Sequence, residues 1–272
     1  MKDTRNLPKA KKAFLMAVIS MFLIDYAVAE TLCFVAAENG LVIREEGDCK
    51  SRRPCCSTFK IAISLMGINE GILVSETEPE LPFEPGYYDL LDSWKQPQTP
   101  RMWMKNSCVW YSQVLTQKIG MKKFADYVSG FNYGNCDVSG DRGKDNGLTN
   151  CWLSSSLQIS GFEQVDFLRR LLGLNLPVSR KAMQMTKQLL YLQEIGDGWK
   201  LYGKTGSGHQ LNADGSRNME SPLGWFIGWI NKGDRNVIFT HLVEDAAKRE
   251  AFPGILARAI ATEKLETLVK NQ

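Results

Sequence analysis

Ser57-Thr58-Phe59-Lys60 stands where a loop of turn-forming residues and cysteines, 50–56, gives way to an apolar run, 61–68. Ile61, Leu65 and Ile68 fall at i, i+4 and i+7, which predicts a helix with an apolar stripe, and Gly71 suits its end. A serine at such a boundary holds its hydroxyl and its backbone N–H at the positive end of the helix. Lys60, three residues on, lies on the same face one turn above it. A hydroxyl beside an amine is the arrangement a serine nucleophile needs when no histidine is at hand as base. Taken alone, the same four residues also describe an ordinary helix cap followed by a solvated lysine. The rest of the chain decides between the two.

Upstream, 31–36 and 41–44 read as two short strands joined at Asn39-Gly40, a hairpin signal. Downstream, five prolines (Pro79, Pro82, Pro85, Pro97, Pro100) punctuate an irregular stretch. Thr99-Pro100 marks the cap and first residue of a short helix through Met104. Helical runs to Gly120 and over 122–128 follow, then a Gly-, Asn- and Asp-rich loop over 130–150. Ser160-Gly161-Phe162-Glu163 is a capping-box pattern opening a helix to Leu172, and 180–192 reads as another helix. The period then changes. Segments 199–205, 224–230 and 237–243 read as an antiparallel meander, and a last helix starts at Pro253, with Leu256, Ile260 and Leu268 to pack on the sheet. Strands at both ends around a helical middle predict an α+β fold with an inserted helical lobe.

The first 29 residues have a separate character. Lys9, Lys11 and Lys12 precede an apolar run over 13–24, and Ala27-Val28-Ala29 supplies small residues where a signal peptidase reads. The run is shorter than the ~20 residues of a membrane span. The expectation is a signal peptide over 1–29, cleaved after Ala29, export to the periplasm and one mature domain over 30–272, an uncleaved anchor being the alternative. The net charge of +3 arises from 33 Lys and Arg against 30 Asp and Glu. Five of those bases and two of the acids lie in the leader, so the mature part holds 28 of each and carries no nucleic-acid footprint. All seven cysteines lie beyond the leader, where an oxidising compartment permits disulfides, and the odd count leaves at least one thiol unpaired. With His209 and His241 as the only histidines and no Cys-x-x-Cys, a zinc site is hard to build, and no metal is expected.

In the first strand of the meander stands Lys204-Thr205-Gly206-Ser207-Gly208. Glycines inside a strand mark a close approach of another backbone or a ligand, and a lysine there offers a point charge to a carboxylate. Ser57-Thr58-Phe59-Lys60, Ser107-x-Val109, Tyr133-Gly134-Asn135, Trp152 and Lys204-Thr205-Gly206, in this order and at these separations, resemble the class D (OXA-type) serine β-lactamases. A related pattern of the superfamily is Ser-x-x-Lys with Ser-Asp-Asn and Lys-Thr-Gly; the Ser-Cys-Val here points to class D. The likeness extends to Ser139-Gly140-Asp141 and to 224–229, so it covers nearly the whole mature chain.

This resemblance implies the penicillin-binding transpeptidase-like fold and a set of roles. Ser57 would attack the lactam carbonyl of a β-lactam antibiotic and be acylated. Lys60 would be the general base, carried as N6-carboxylysine, which needs carbon dioxide or bicarbonate but no other cofactor. A dry pocket of Phe59, Val109 and Trp152 would disfavour the lysine cation, and the Trp152 indole N–H would hold the carbamate. Ser107, helped by Lys204, would pass a proton to the departing nitrogen. The backbone N–H groups of Ser57 and Ser207 would form the oxyanion hole. Lys204, Thr205, Gly206, Ser207 and an arginine would bind the substrate and its carboxylate, with Arg258 favoured and Arg249 the competitor. Tyr133 would shape the pocket, and Asn135 would be structural.

Cys55-Cys56 before the nucleophile and Cys108 inside the second motif are unusual, and packing as small apolar groups is favoured over redox chemistry. Two rival functions stay open at this point: a sensor domain that is acylated and stays so, and a transpeptidase or carboxypeptidase acting on cell-wall peptides. Substrate preference, disulfide pairing and oligomeric state are not legible.

Overall fold

The computed structural model of the chain describes residues 29–247 and 251–270. The expected leader up to residue 28 and Arg249 lie outside the described residues. Strands β1 (Glu30–Glu38) and β2 (Leu41–Gly47) form the opening hairpin. Asn39 and Gly40 both take positive φ, 52° and 80°, the geometry that a two-residue turn between right-twisted strands requires. Four more strands, β5 (Tyr191–Ile195), β6 (Trp199–Leu211), β7 (Arg217–Lys232) and β8 (Arg235–Glu244), complete a six-stranded sheet in the order β2-β1-β8-β7-β6-β5. Every neighbouring pair is antiparallel. The N-terminal hairpin thus completes the C-terminal meander, as the α+β reading required. A separate pair, β3 (Arg53–Pro54) and β4 (Gln158–Ile159), lies outside that sheet.

Both faces of the sheet are covered, and the side-chain period of two shows which residue serves which face. On β1, Phe34 and Ala36 join the core beneath the last helix, α8 (Pro253–Lys270), while Cys33, Val35 and Ala37 join the core shared with the helical lobe. On α8 it is Ala257, Ala261 and Leu265 that are fully buried, with the expected Leu256, Ile260 and Leu268 flanking them. The small alanines let the helix lie close to Phe226 and Phe239. Each such fully buried phenylalanine is worth about 1.5–3 kcal/mol.

The lobe consists of α1 (Lys60–Asn69), α2 (Pro100–Asn106), α3 (Val109–Ile119), α4 (Met121–Gly130), a single turn α5 (Gly147–Asn150), α6 (Gly161–Leu172) and α7 (Arg180–Leu189). Two predicted caps are present. Thr99 Oγ1 accepts from Met102 N, and the Ser160/Glu163 capping box is complete. The helix expected over 180–192 stops at Leu189, because Tyr191 onward pairs with β6 as an edge strand. A run such as Leu189-Leu190-Tyr191-Leu192 is equally apolar in either period, and pairing with the sheet decided it. Cys33 and Cys49 form a disulfide, and Cys55, Cys56, Cys108, Cys136 and Cys151 are free thiols.

Candidate active site

A single 3₁₀ turn, Cys56–Phe59, delivers the chain into α1, and Ser57 lies on it instead of capping the helix. Helix α1 is buried on every side from Lys60 to Ile68, which fixes the height of that turn in the molecule. Lys60 Nζ donates to Ser57 Oγ at 3.0 Å. The lysine side chain is 0% exposed. Burial drives its amine down from 10.5 to about 8. Near neutrality the neutral amine is therefore within reach, and it can take the Ser57 proton along the same 3.0 Å line. Neither histidine competes for this role. His241 is bound to the Ala257 carbonyl and to Thr31 on the other face of β8, and burial pushes it down to about 4; the hydroxyl of Ser57 is bonded by Lys60, and among the described residues no hydrogen bond joins it to His209.

Ser107 ends α2 in the left-handed region (φ 55°, ψ 32°), and its Oγ receives a hydrogen bond from Lys204 Nζ at 3.0 Å. Lys204 also donates to the Thr205 carbonyl at 2.9 Å and lies 3.4 Å from Thr205 Oγ1. Buried, and facing the charges of Lys60 and Arg258, this amine is pushed well below the usual lysine range. Strand β6 brings Lys204 here because its glycines leave room for the nucleophile's turn. A Cβ on Gly206 would sit 3.2 Å from Ser57 N, and one on Gly208 would meet Cys56 Sγ at 2.6 Å and Ser154 Oγ at 2.3 Å. The same approach sets Ser207 of β6 alongside Ser57. Ser207 Oγ in turn accepts from Gly254 N at 3.0 Å, tying the strand to the first turn of α8.

Behind the serine lies an aromatic wall. Trp152 is fully buried, 5.8 Å from Phe59 between ring centroids, and its indole N–H has no hydrogen-bond partner among the described residues. An orphaned buried donor costs about 1–3 kcal/mol, so this one fits a site built to meet an acceptor. Val109, at the start of α3, is buried. Tyr133 departs from its expected place on the pocket wall. The residues flanking it, Asn132 and Gly134, both have positive φ, and this turn drives the phenol into the core, edge-on to Phe59 at 5.1 Å with its hydroxyl toward Gln164. It supports the site from behind. Asn135 braces its loop, donating to the Ser156 carbonyl at 2.8 Å and accepting from Gln158 N at 3.0 Å.

Arg258 extends from α8 into a cavity of about 360 Å³ that Lys204 and Thr205 also line. Its guanidinium donates to Gln193 Oε1 at 2.9 Å, a partner on β5, a strand the sequence reading did not find. Burial pushes Cys56 and Cys108 up to about 11 and Cys55 well above its ordinary value, so all stay protonated and pack as small apolar groups. No cluster of three or more His, Cys, Asp or Glu suited to a metal occurs among the described residues.

A serine paired with a buried lysine, a second serine paired with another, and a strand edge beside the nucleophile define an acyl-transfer site of the penicillin-recognising kind. The family model of the penicillin binding protein transpeptidase domain matches residues 38–266. Beta-lactamase OXA-9 of Klebsiella pneumoniae is 38% identical over 95% of this chain and 96% of its own length. Beta-lactamase OXA-1 of Escherichia coli is 37% identical over 87% of this chain and 83% of its own. The crystal structure of the OXA-427 class D β-lactamase superposes with a TM-score of 0.84 at 43% identity, over 89% of this chain and 99% of that one. The chain belongs to the class D β-lactamases, serine hydrolases within the transpeptidase-domain family.

Proposed function

We propose that the protein hydrolyses the amide bond of β-lactam antibiotics through an acyl-enzyme on Ser57, and so confers resistance. The observation that carries this reading is the 3.0 Å contact between Ser57 Oγ and a Lys60 amine that burial holds near pKa 8. Lys60 takes the hydroxyl proton as Ser57 Oγ attacks the lactam carbonyl. The oxyanion is received by the backbone N–H groups of Ser57 and Ser207, a contribution of about 3 kcal/mol per donor in other hydrolases. Ser107 gives its proton to the departing nitrogen as the C–N bond breaks, and Lys204 restores it. Lys204, Thr205 and Arg258 hold the substrate carboxylate.

Deacylation needs a base that can activate water beside the ester. A neutral, desolvated amine is the form of lysine that adds carbon dioxide, and the unpartnered Trp152 N–H supplies a donor for the resulting carboxylate. N6-carboxylysine at position 60 would supply a general base stronger in geometry than the bare amine for both half-reactions. Trp152 and Val109 keep water from the lysine, which preserves the neutral form that carboxylation requires. Among the described residues no helix is long and apolar enough to cross a membrane, and we assign the protein to the periplasm, exported by the segment ending at Ala29. A chromogenic cephalosporin tests the function: sustained turnover is expected, whereas one stoichiometric burst followed by silence would mark a sensor and overturn it.

A further inference from the structure

The roles above use Lys204, Thr205 and Arg258 but leave unexplained the rest of the cavity they share. Its wall continues to Gly203 and takes in Arg101, Met104 and Lys105 of α2 and Tyr191 and Leu192 of β5. Every charged side chain on that wall is basic: Arg101, Lys105, Lys204 and Arg258. Arg101 is matched from outside the wall by Glu76, to which its Nε donates at 2.8 Å. Among the described residues, Lys105, which is exposed, has no acidic partner, and the side-chain hydrogen bond of Arg258 goes to the neutral Gln193. One ring carboxylate would answer the pair Lys204 and Arg258. A cation at Lys105 then remains over an apolar floor of Met104, Leu192 and the Tyr191 ring.

The direction of β6 says which part of a substrate reaches this floor. Ser207 stands at the carbonyl end, Lys204 and Thr205 at the carboxylate end, and Gly203 lies beyond them, away from the carbonyl. A substituent on the ring atom next to the carboxylate-bearing carbon extends that way, while the acylamino chain on the carbonyl side leaves in the other direction. We propose, resting on the hydrolase reading above, that this cavity selects β-lactams whose substituent beside the ring carboxylate is flat or apolar and ends in a second negative charge, with Lys105 as the specificity-determining cation. Water-exposed pairing of this kind is worth only a few-fold in affinity and is sensitive to salt.

The test uses two cephalosporins with the same acylamino chain and a substituent that is not expelled on ring opening, one ending in a primary amide and the other in a carboxylate. At low ionic strength the carboxylate compound should show a kcat/KM about three- to fivefold higher, carried by KM. That advantage should shrink as salt is raised, persist in Lys105→Arg and invert in Lys105→Glu. Equal values for the two compounds, or a preference that Lys105→Glu leaves intact, would overturn the assignment while leaving the hydrolase reading standing. Failure of the parent enzyme to turn over either compound would instead overturn both.

Discussion

Lys204 Nζ holds Ser107 Oγ at 3.0 Å while Ser107 itself occupies a left-handed backbone conformation, φ 55°. A side-chain residue in that region costs about 1–3 kcal/mol, and the cost is tolerated here at the position whose hydroxyl is the proposed proton donor. Stability and chemistry therefore pull in opposite directions at one residue. Ser107→Gly should raise unfolding stability by about 1 kcal/mol while lowering the acylation rate at least ~10²-fold. Ser107→Ala should lower the rate as much without the gain, since alanine keeps the Cβ. Denaturant unfolding and single-turnover acylation of the two variants check this, and a Gly variant less stable than the Ala variant would contradict it.

Lys60 carries a similar conflict, visible in pH. Its amine is depressed from 10.5 to about 8, so the folded state binds the proton less well than the unfolded chain. Below pH 8 both states are protonated and the full penalty of about 3 kcal/mol applies. Between pH 8 and 10.5 the unfolded state still holds the proton that the folded state has lost, so stability rises with pH and the penalty fades. In carbon dioxide-depleted buffer, Lys60→Met should lack this rise, appear the more stable protein at pH 7, and show no turnover. A parent and variant with parallel stability-pH curves would show that the amine is not desolvated.

How much of this was legible beforehand differs from residue to residue. The Asn39-Gly40 turn and the Ser160/Glu163 capping box are local, and a few neighbouring residues contain the physics that sets them; the Ser57/Lys60 spacing is local too, but the burial that makes it chemistry comes from the whole lobe. The termination of α7 at Leu189 depended on an edge of β6 more than ten residues away, so local periodicity had no means of reporting it. Gln193, which holds Arg258, lies on that unforeseen edge strand. The Cys33–Cys49 pairing follows from where β2 ends opposite β1, a matter of register, and seven cysteines offered too many alternatives. Tyr133 was misplaced because its motif gives the residue's neighbours in sequence, whereas its burial behind Phe59 depends on two consecutive turns with positive φ.

Trp152 offers a test of the carboxylated base that is separable from packing. Its ring lies against Phe59, and its N–H is unpartnered in the bare lysine form. Trp152→Phe keeps an aromatic in the wall but removes the donor. The bicarbonate concentration that restores half-maximal activity to a decarboxylated sample should rise about tenfold or more, the scale of one lost hydrogen bond to a charged group. With saturating bicarbonate much of the parent's rate should return. A bicarbonate response equal to the parent's would remove Trp152 from the role of carbamate donor.

Arg258 should act through binding and through the charge state of its neighbour, and the two effects have different signatures. Arg258→Ala removes one of the cations proposed to hold the substrate carboxylate, so KM should rise about tenfold with a smaller change in kcat, and Arg258→Lys should restore only part, since it lacks the planar fork. The same change removes a positive charge that depresses Lys204. Carboxylate binding needs Lys204 protonated and is lost as pH rises through its folded pKa. Relieving the repulsion raises that pKa, so the alkaline limb of kcat/KM should move to higher pH in Arg258→Ala even as the plateau falls. An arginine that only braced β5 through Gln193 would lower the plateau and leave the limb where it was, and Gln193→Ala, which breaks that brace and keeps the charge, supplies the control.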